Sequence, residues 1–371
     1  MKKYLKIMLV TMFTSCILVS CDKGSVVTPV VPDTPVTSYS KIDYTGTEKL
    51  SEARKYLAAA AAGNKIVFAG GLTDLGYSKT VDIFDASTNV WTTALLSEPR
   101  YNLAAAAAGN KILFAGGKNA IGYSETVDIY DVVTNIWTTS KLSVGRSTLA
   151  AVGLGNKVYF AGGENRGGSS KVVDVYDVTT NTWTATELSE PRLSLCAVTL
   201  GNKVIFAGGH NTLTGATTKT IDILDVPTNL WTTKMLSSER LALAASASGN
   251  KILFAGGVNG AVGVAIDRVD IYDVSTNVWS TTLLSKARWG LCSVSGGTKI
   301  VFAGGFNGGS ESKMDDIDIY DVITGEWTKT YKLCEARGGL AGATAANKIV
   351  FGGGETLTGC SSAVDIFTVS K

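Results

Sequence analysis

Histidine is almost absent from this 371-residue chain, where His210 is the only one. A multi-histidine metal centre therefore cannot be assembled from it. Proline is scarce too, and three of the six (Pro29, Pro32 and Pro35) crowd near the N-terminus. The one long apolar stretch, residues 7–18, is too short to span a bilayer comfortably. Charge of either sign is not in excess: a net +2 gives no electrostatic footprint for nucleic acid. Neither a Walker loop nor a dinucleotide-binding glycine loop occurs, because the glycine pairs end strand-like runs and precede no helix.

Glycine, by contrast, is abundant and regularly placed. The phrase Phe-Ala-Gly-Gly recurs with its first glycine at Gly70, Gly116, Gly162, Gly208, Gly256 and Gly304, and a Phe-Gly-Gly-Gly variant follows with its pair at Gly353 and Gly354. The intervals are 46, 46, 46, 48, 48 and 49 residues, so the chain is a repeat array forming one domain. Each unit offers four strand candidates. A run of small residues follows an arginine, and a Gly-Asn turn such as Gly63-Asn64 leads into Lys-Ile-Val-Phe-Ala-Gly-Gly. A third run with alternating apolar positions (residues 80–85) then reaches an Asp-x-x-Thr-Asn turn, and a fourth opens with tryptophan. Alanine-rich residues 103–108 have helix propensity, but the run is too short for an isolated helix. Small side chains suit inner strands where sheets converge on an axis, so we assign a strand.

Four antiparallel strands repeated radially make a seven-bladed all-β propeller. The order arginine, inner strand, diglycine, Tyr/Phe-Asp strand end and tryptophan resembles kelch-repeat propellers over residues 43–371. The resemblance implies that the first strand is innermost and that Phe84, Tyr130, Tyr176, Tyr272, Tyr320 and the tryptophans pack between blades. The last unit stops after its third strand, residues 363–369. One period before residues 89–100 lie residues 43–54, whose Leu-Ser-Glu-Ala-Arg echoes Leu-Ser-Glu-Pro-Arg. The N-terminal strand is thus expected to complete the seventh blade, with Thr45 where tryptophan should stand.

Residues 1–20 read as a signal peptide, and Leu18-Val19-Ser20-Cys21 resembles a bacterial lipobox, which implies acylation of Cys21. Residues 21–42 then form a lipidated Pro/Thr/Val tether. The expected location is the bacterial cell envelope, with membrane contact through the anchor alone. Of six cysteines, Cys196 and Cys292 hold equivalent inner-strand positions as buried fillers, and Cys334 with Cys360 is a candidate disulfide. A turn lysine in every unit makes a basic ring on one face, partly neutralised by third-strand acids.

The arginine-bearing loops and the loops after the diglycines share the other face, the expected ligand surface. Seven arginines ring it, and their repetition favours a scaffold role. Glu52, Glu98, Glu190, Glu335 and Glu239 offer most of them local partners; Arg146 and Arg288 lack one and are the candidates for ligand-facing charge. Positions that vary between units supply the other candidates: Glu164, His210, Phe306 and Glu355 after the diglycine, Asn165, Arg166 and Asn211 beyond it, and Tyr101 and Trp289 after the arginine. Carboxylates, amides and aromatics around one mouth suit a sugar, and equally a protein loop. The acidic run Asp315, Asp316, Asp318 and Asp321 reads as strand carboxylates rather than a calcium site. No catalytic residue or cofactor is assigned. The expectation is a non-catalytic module that binds a protein or glycan; the alternative is a metal-free sugar epimerase or mutarotase using Glu164, Glu355 and His210, as in kelch-type sialic acid epimerases.

Overall fold

A computed structural model describes residues 41–308 and 312–371. The expected leader, Cys21 and most of the tether lie outside these residues. The described chain is all-β and forms seven four-stranded antiparallel blades. In the first blade the strands run from the hub outward as Ala58–Ala62, Lys65–Ala69, Thr80–Asp85 and Val90–Leu95. The inner strands of the other blades are Ala104–Ala108, Ala150–Leu154, Cys196–Leu200, Ala244–Ser248, Cys292–Gly296 and Ala341–Ala345. Each touches the next around the axis, and Ala341–Ala345 returns to Ala58–Ala62. Alanine's helix propensity loses here because only small side chains fit between converging sheets.

One face of each blade carries aromatics and the other carries aliphatics. Ile112, Phe114, Tyr130 and Trp137 of the second blade press on Ala58, Ala60, Val67, Val81 and Ile83 of the first. The same arrangement recurs at all seven junctions, including the one between the last blade and the first. Each tryptophan stacks on its own blade's aromatics; Trp137 lies 4.8 Å from Tyr130 and 6.2 Å from Phe114. The diglycines belong to the junctions as well. Gly70 has φ +65, a Cβ there would stand 2.7 Å from the carbonyl oxygen of Arg100 in the next blade, and the Gly71 N–H donates to that oxygen.

The ring closes as expected: Lys41–Lys49 pairs antiparallel with Ala363–Ser370. The register differs by one residue. A bulge between Tyr44 and Gly46 puts Tyr44, not Thr45, opposite Phe367, as Trp91 stands opposite Phe84. Tyr44 and Tyr331 both contact the Phe367 ring, at 5.4 and 5.9 Å, and the Tyr331 hydroxyl donates to the Ile42 carbonyl. A tyrosine from each of two blades thus fills the space that one tryptophan fills elsewhere.

Cys196 is buried and Cys292 nearly so, and burial pushes both thiols up to about 12. Cys334 and Cys360 are free thiols, contrary to the disulfide expectation. The Cys334 thiol faces the Asp365 carboxylate, whereas that of Cys360 reaches the Leu72 carbonyl of the first blade, so the two are engaged in different directions. On the turn face Lys65, Lys203, Lys251 and Lys299 pair with Asp85, Asp225, Asp273 and Asp321, which neutralises much of the lysine ring.

Candidate functional site on the loop face

All seven arginines are fully buried, Arg146 and Arg288 included. Arg146 donates to the Asp174 carboxylate and to the carbonyls of Gly162, Val172 and Phe160 at 2.8, 2.6 and 3.3 Å. Arg288 meets Asp318 at 2.6 Å and the Phe302 carbonyl at 3.4 Å. The other five pair with Asp82, Asp128, Asp222, Asp270 and Asp365. The expectation of uncompensated charge at Arg146 and Arg288 is therefore corrected: the partner of every arginine is the third-strand aspartate of its own blade. The upstream glutamates do something else. Glu52, Glu98, Glu190 and Glu335 accept hydrogen bonds from Ser78, Ser124, Thr218 and Ser361, which tie the two loop sets together. The acidic run is likewise split, with Asp315 and Asp316 on Lys332, Asp318 on Arg288 and Asp321 on Lys299.

The variable positions do converge. In each blade the residue after the arginine bridges, backbone to backbone, to the residue after the diglycine: Lys55 to Leu72, Tyr101 to Lys118, Ser147 to Glu164, Leu193 to His210, Leu241 to Val258, Trp289 to Phe306 and Gly338 to Glu355. These pairs divide the face. At these positions blades seven, one, two and three carry Glu355, Lys55, Tyr101, Lys118 and Glu164 together with the apolar Leu72, while blades four to six carry Leu193, Leu241, Val258, Trp289 and the buried Phe306 together with the polar His210. On the polar side the Glu355 carboxylate meets Lys55 Nζ at 3.2 Å and accepts from the Tyr56 hydroxyl at 3.2 Å. Burial, reinforced by Glu355, pushes the Tyr56 phenol up to about 12, so it stays neutral. Tyr101 stacks on Tyr77 at 5.6 Å, and burial followed by the bond to Glu164 raises Tyr123.

The remaining candidates fall into different places. Phe306 is buried, stacked on Trp289 at 4.6 Å, and is packing rather than ligand surface. A Cβ on Gly338 would come within 2.4 Å of the Phe306 ring, so the glycine there makes room for it. The Trp289 indole N–H is committed to the Gly308 carbonyl at 3.1 Å. His210 is half-buried with Nδ1 3.5 Å from Thr217 Oγ1, and Arg166 is exposed. Asn165 and Asn211 cap their hairpins: their side-chain oxygens accept from Gly167 N and Leu213 N at 2.7 and 3.0 Å. Glu164, His210 and Glu355 sit on blades three, four and seven, and Glu164 and Glu355 are held by separate tyrosines. No pairing of acid and base on one reacting atom is built from them.

The capped hairpins carry a feature not evident from the sequence. Their tips hold aliphatic side chains out in solvent: Leu75 at 100% exposure, Ile121 at 84%, Leu213 at 64%, Val262 at 67% and Leu357 at 71%. The cap makes these tips stiff. Asn119 Oδ1 accepts from Ile121 N and Gly122 N, and Thr73 and Thr356 hydroxyls bridge their own hairpins. Five of the seven blades thus carry an exposed aliphatic side chain at the same hairpin of the loop face.

At the axis the loops meet in a closed collar. Tyr56, Asn102, Thr148, Ser194, Ala242, Gly290 and Gly339 each donate a backbone N–H to the carbonyl of the preceding member, at 2.9–3.2 Å, and Tyr56 closes the circle on Gly339. Every member has φ between 52 and 62, which glycine and asparagine adopt readily and threonine or tyrosine do not. With the leucines that follow its members (Leu57, Leu103, Leu149, Leu195, Leu243 and Leu340) the collar lines an open depression of about 270 Å³.

A ring of repeated blades whose loops differ from unit to unit is a scaffold suited to recognition. The profile of one family, Kelch motif, matches residues 53–94, 99–140, 145–185, 239–281 and 288–330. These segments make up more than half of the chain, which therefore belongs to the kelch-motif family. The kelch propeller fold suggests a protein-binding module. No curated protein matches the chain.

Proposed function

We propose that this chain is a lipid-anchored binding module of the cell envelope, which presents its loop face to a protein or glycan ligand and performs no chemistry on it. The observation that carries the reading is the crown of five exposed aliphatic tips held rigid by side-chain caps around a polar mouth. Aliphatic side chains repeated at the same exposed position of five blades favour capture of a macromolecule. The envelope location rests on the lipobox-like residues ending at Cys21. Labelling with a radioactive fatty acid should mark the protein and fail in Cys21→Ser. Crosslinking in intact cells tests the face: a variant with serine at Leu75, Ile121, Leu213, Val262 and Leu357 should lose the captured partner and keep its melting temperature. Undiminished capture by that variant overturns the reading, as does interconversion of sugar anomers at enzymatic rates by the native protein.

A further inference from the structure

We propose that the mouth of the ring takes a small, uncharged, polyhydroxylated group, such as the terminal residue of a neutral glycan, hydrogen-bonded by Asn102 and Ser194. The inference rests on the loop face being a binding face and names the ligand class of its centre. Size comes first. A depression of about 270 Å³ lies just below the range usual for drug-sized ligands and accommodates one sugar ring rather than an oligomer. Charge comes second. None of the residues lining it is charged, and the seven arginines beneath the face are locked on aspartates, so no cation waits there for a carboxylate or phosphate.

Hydrogen-bonding capacity decides the chemistry. The collar's own N–H and C=O groups are spent on one another, which leaves its side chains to meet a ligand. These are distributed unevenly. Asn102, Thr148 and Ser194 form an amide–hydroxyl–hydroxyl arc over three successive blades, while Ala242, Gly290 and Gly339 offer no polar side chain, and the rings of Phe306 and Tyr56 lie against the two glycines. The Thr148 hydroxyl donates to the Ser147 carbonyl at 2.7 Å and keeps its lone pairs free to accept. Among the described residues the Asn102 amide and the Ser194 hydroxyl bond to nothing in the protein. Donors and acceptors on one side, with leucines for C–H faces, match the two kinds of surface of a sugar ring.

The test uses the full-length protein and five probes: the methyl glycosides of glucose, galactose and mannose, N-acetylglucosamine, and glucuronate as a charged control. Binding is read by saturation-transfer NMR and calorimetry. A single ring should bind weakly, with Kd on the order of millimolar. The double variant Asn102→Gly with Ser194→Gly keeps the positive φ of both positions and should weaken binding about tenfold or more. Ala242→Asn, which adds bulk to the lining at a φ that asparagine tolerates, should weaken it too. The proposal is overturned if no neutral sugar binds at tens of millimolar, if glucuronate binds best, or if the variants bind as the native protein does. A partner captured through the crown without any sugar binding would overturn this inference alone. Loss of both would overturn the binding-face reading with it.

Discussion

Asp174→Leu removes the carboxylate that pairs with Arg146 and separates a scaffold arginine from a ligand-binding one. The Arg146 guanidinium is wholly buried, and desolvation already lowers its pKa, the Asp174 charge opposing that shift. Removing one partner of a buried pair leaves an uncompensated charge and costs about 3–5 kcal/mol. The three carbonyls that also accept from Arg146 keep their donors, which places the expected cost near the lower end. At about 2 °C per kcal/mol for a ring of this size, the melting temperature should fall by roughly 6–10 °C. The double variant Arg146→Met with Asp174→Leu removes both charges, and apolar replacement of a buried pair is often neutral. It should recover most of the loss. Differential scanning calorimetry on the four proteins of this cycle gives the coupling directly. A drop below about 2 °C in Asp174→Leu, or no recovery in the double variant, would refute the scaffold assignment.

Deleting residues 43–50 should lower the melting temperature sharply, and Tyr44→Ala should cost more than Thr45→Ala; the reverse order would restore the unbulged register. Gly338→Ala should destabilise the sixth and seventh blades and alter the fluorescence of Trp289, because the added methyl meets the Phe306 ring; an unchanged spectrum and melt would contradict this packing. The turn aspartates Asp85, Asp131, Asp177 and Asp273 are held below the usual carboxylate range by hydrogen bonds from the following turn residues, aided at Asp85 and Asp273 by paired lysines, and Asp225 by the hydrogen bond from Lys203 and then those from Thr228. Their folded pKa values are depressed, so the stability they contribute is complete above about pH 4 and is lost as pH falls through the folded values. Urea midpoints that do not decline below about pH 4 would contradict it. Mass spectrometry of unreduced, alkylated protein should find Cys334 and Cys360 separately modified; a linked peptide would restore the disulfide.

The repeat itself made the fold legible. Seven correlated diglycines with turn and tryptophan signals specified blade count, strand order and the closing strand. Register at the closure was not legible, because one extra residue in a bulge shifts pairing without altering the pattern of the repeat. The arginine partners were within reach of the sequence. Asp82, Asp128, Asp174, Asp222, Asp270, Asp318 and Asp365 recur in every unit, as the arginines do, at an inward position where a charge needs an opposite charge. The nearer glutamates drew attention because they are adjacent in sequence, whereas the ion pairs span 28 or 30 residues. The collar could not be read at all. Five of its seven members carry five different side chains and two are glycines, and what unites them is a backbone conformation.

Hydrogen exchange across the closing strand tests the central claim most directly. If the ring is sealed by the chain's own N-terminal strand, amides within residues 41–49 should exchange as slowly as those of residues 363–370, with which they pair. Fast exchange throughout residues 41–49, beside a protected 363–370, would mean an open seventh blade and would remove the fixed loop face on which the binding-site assignments stand.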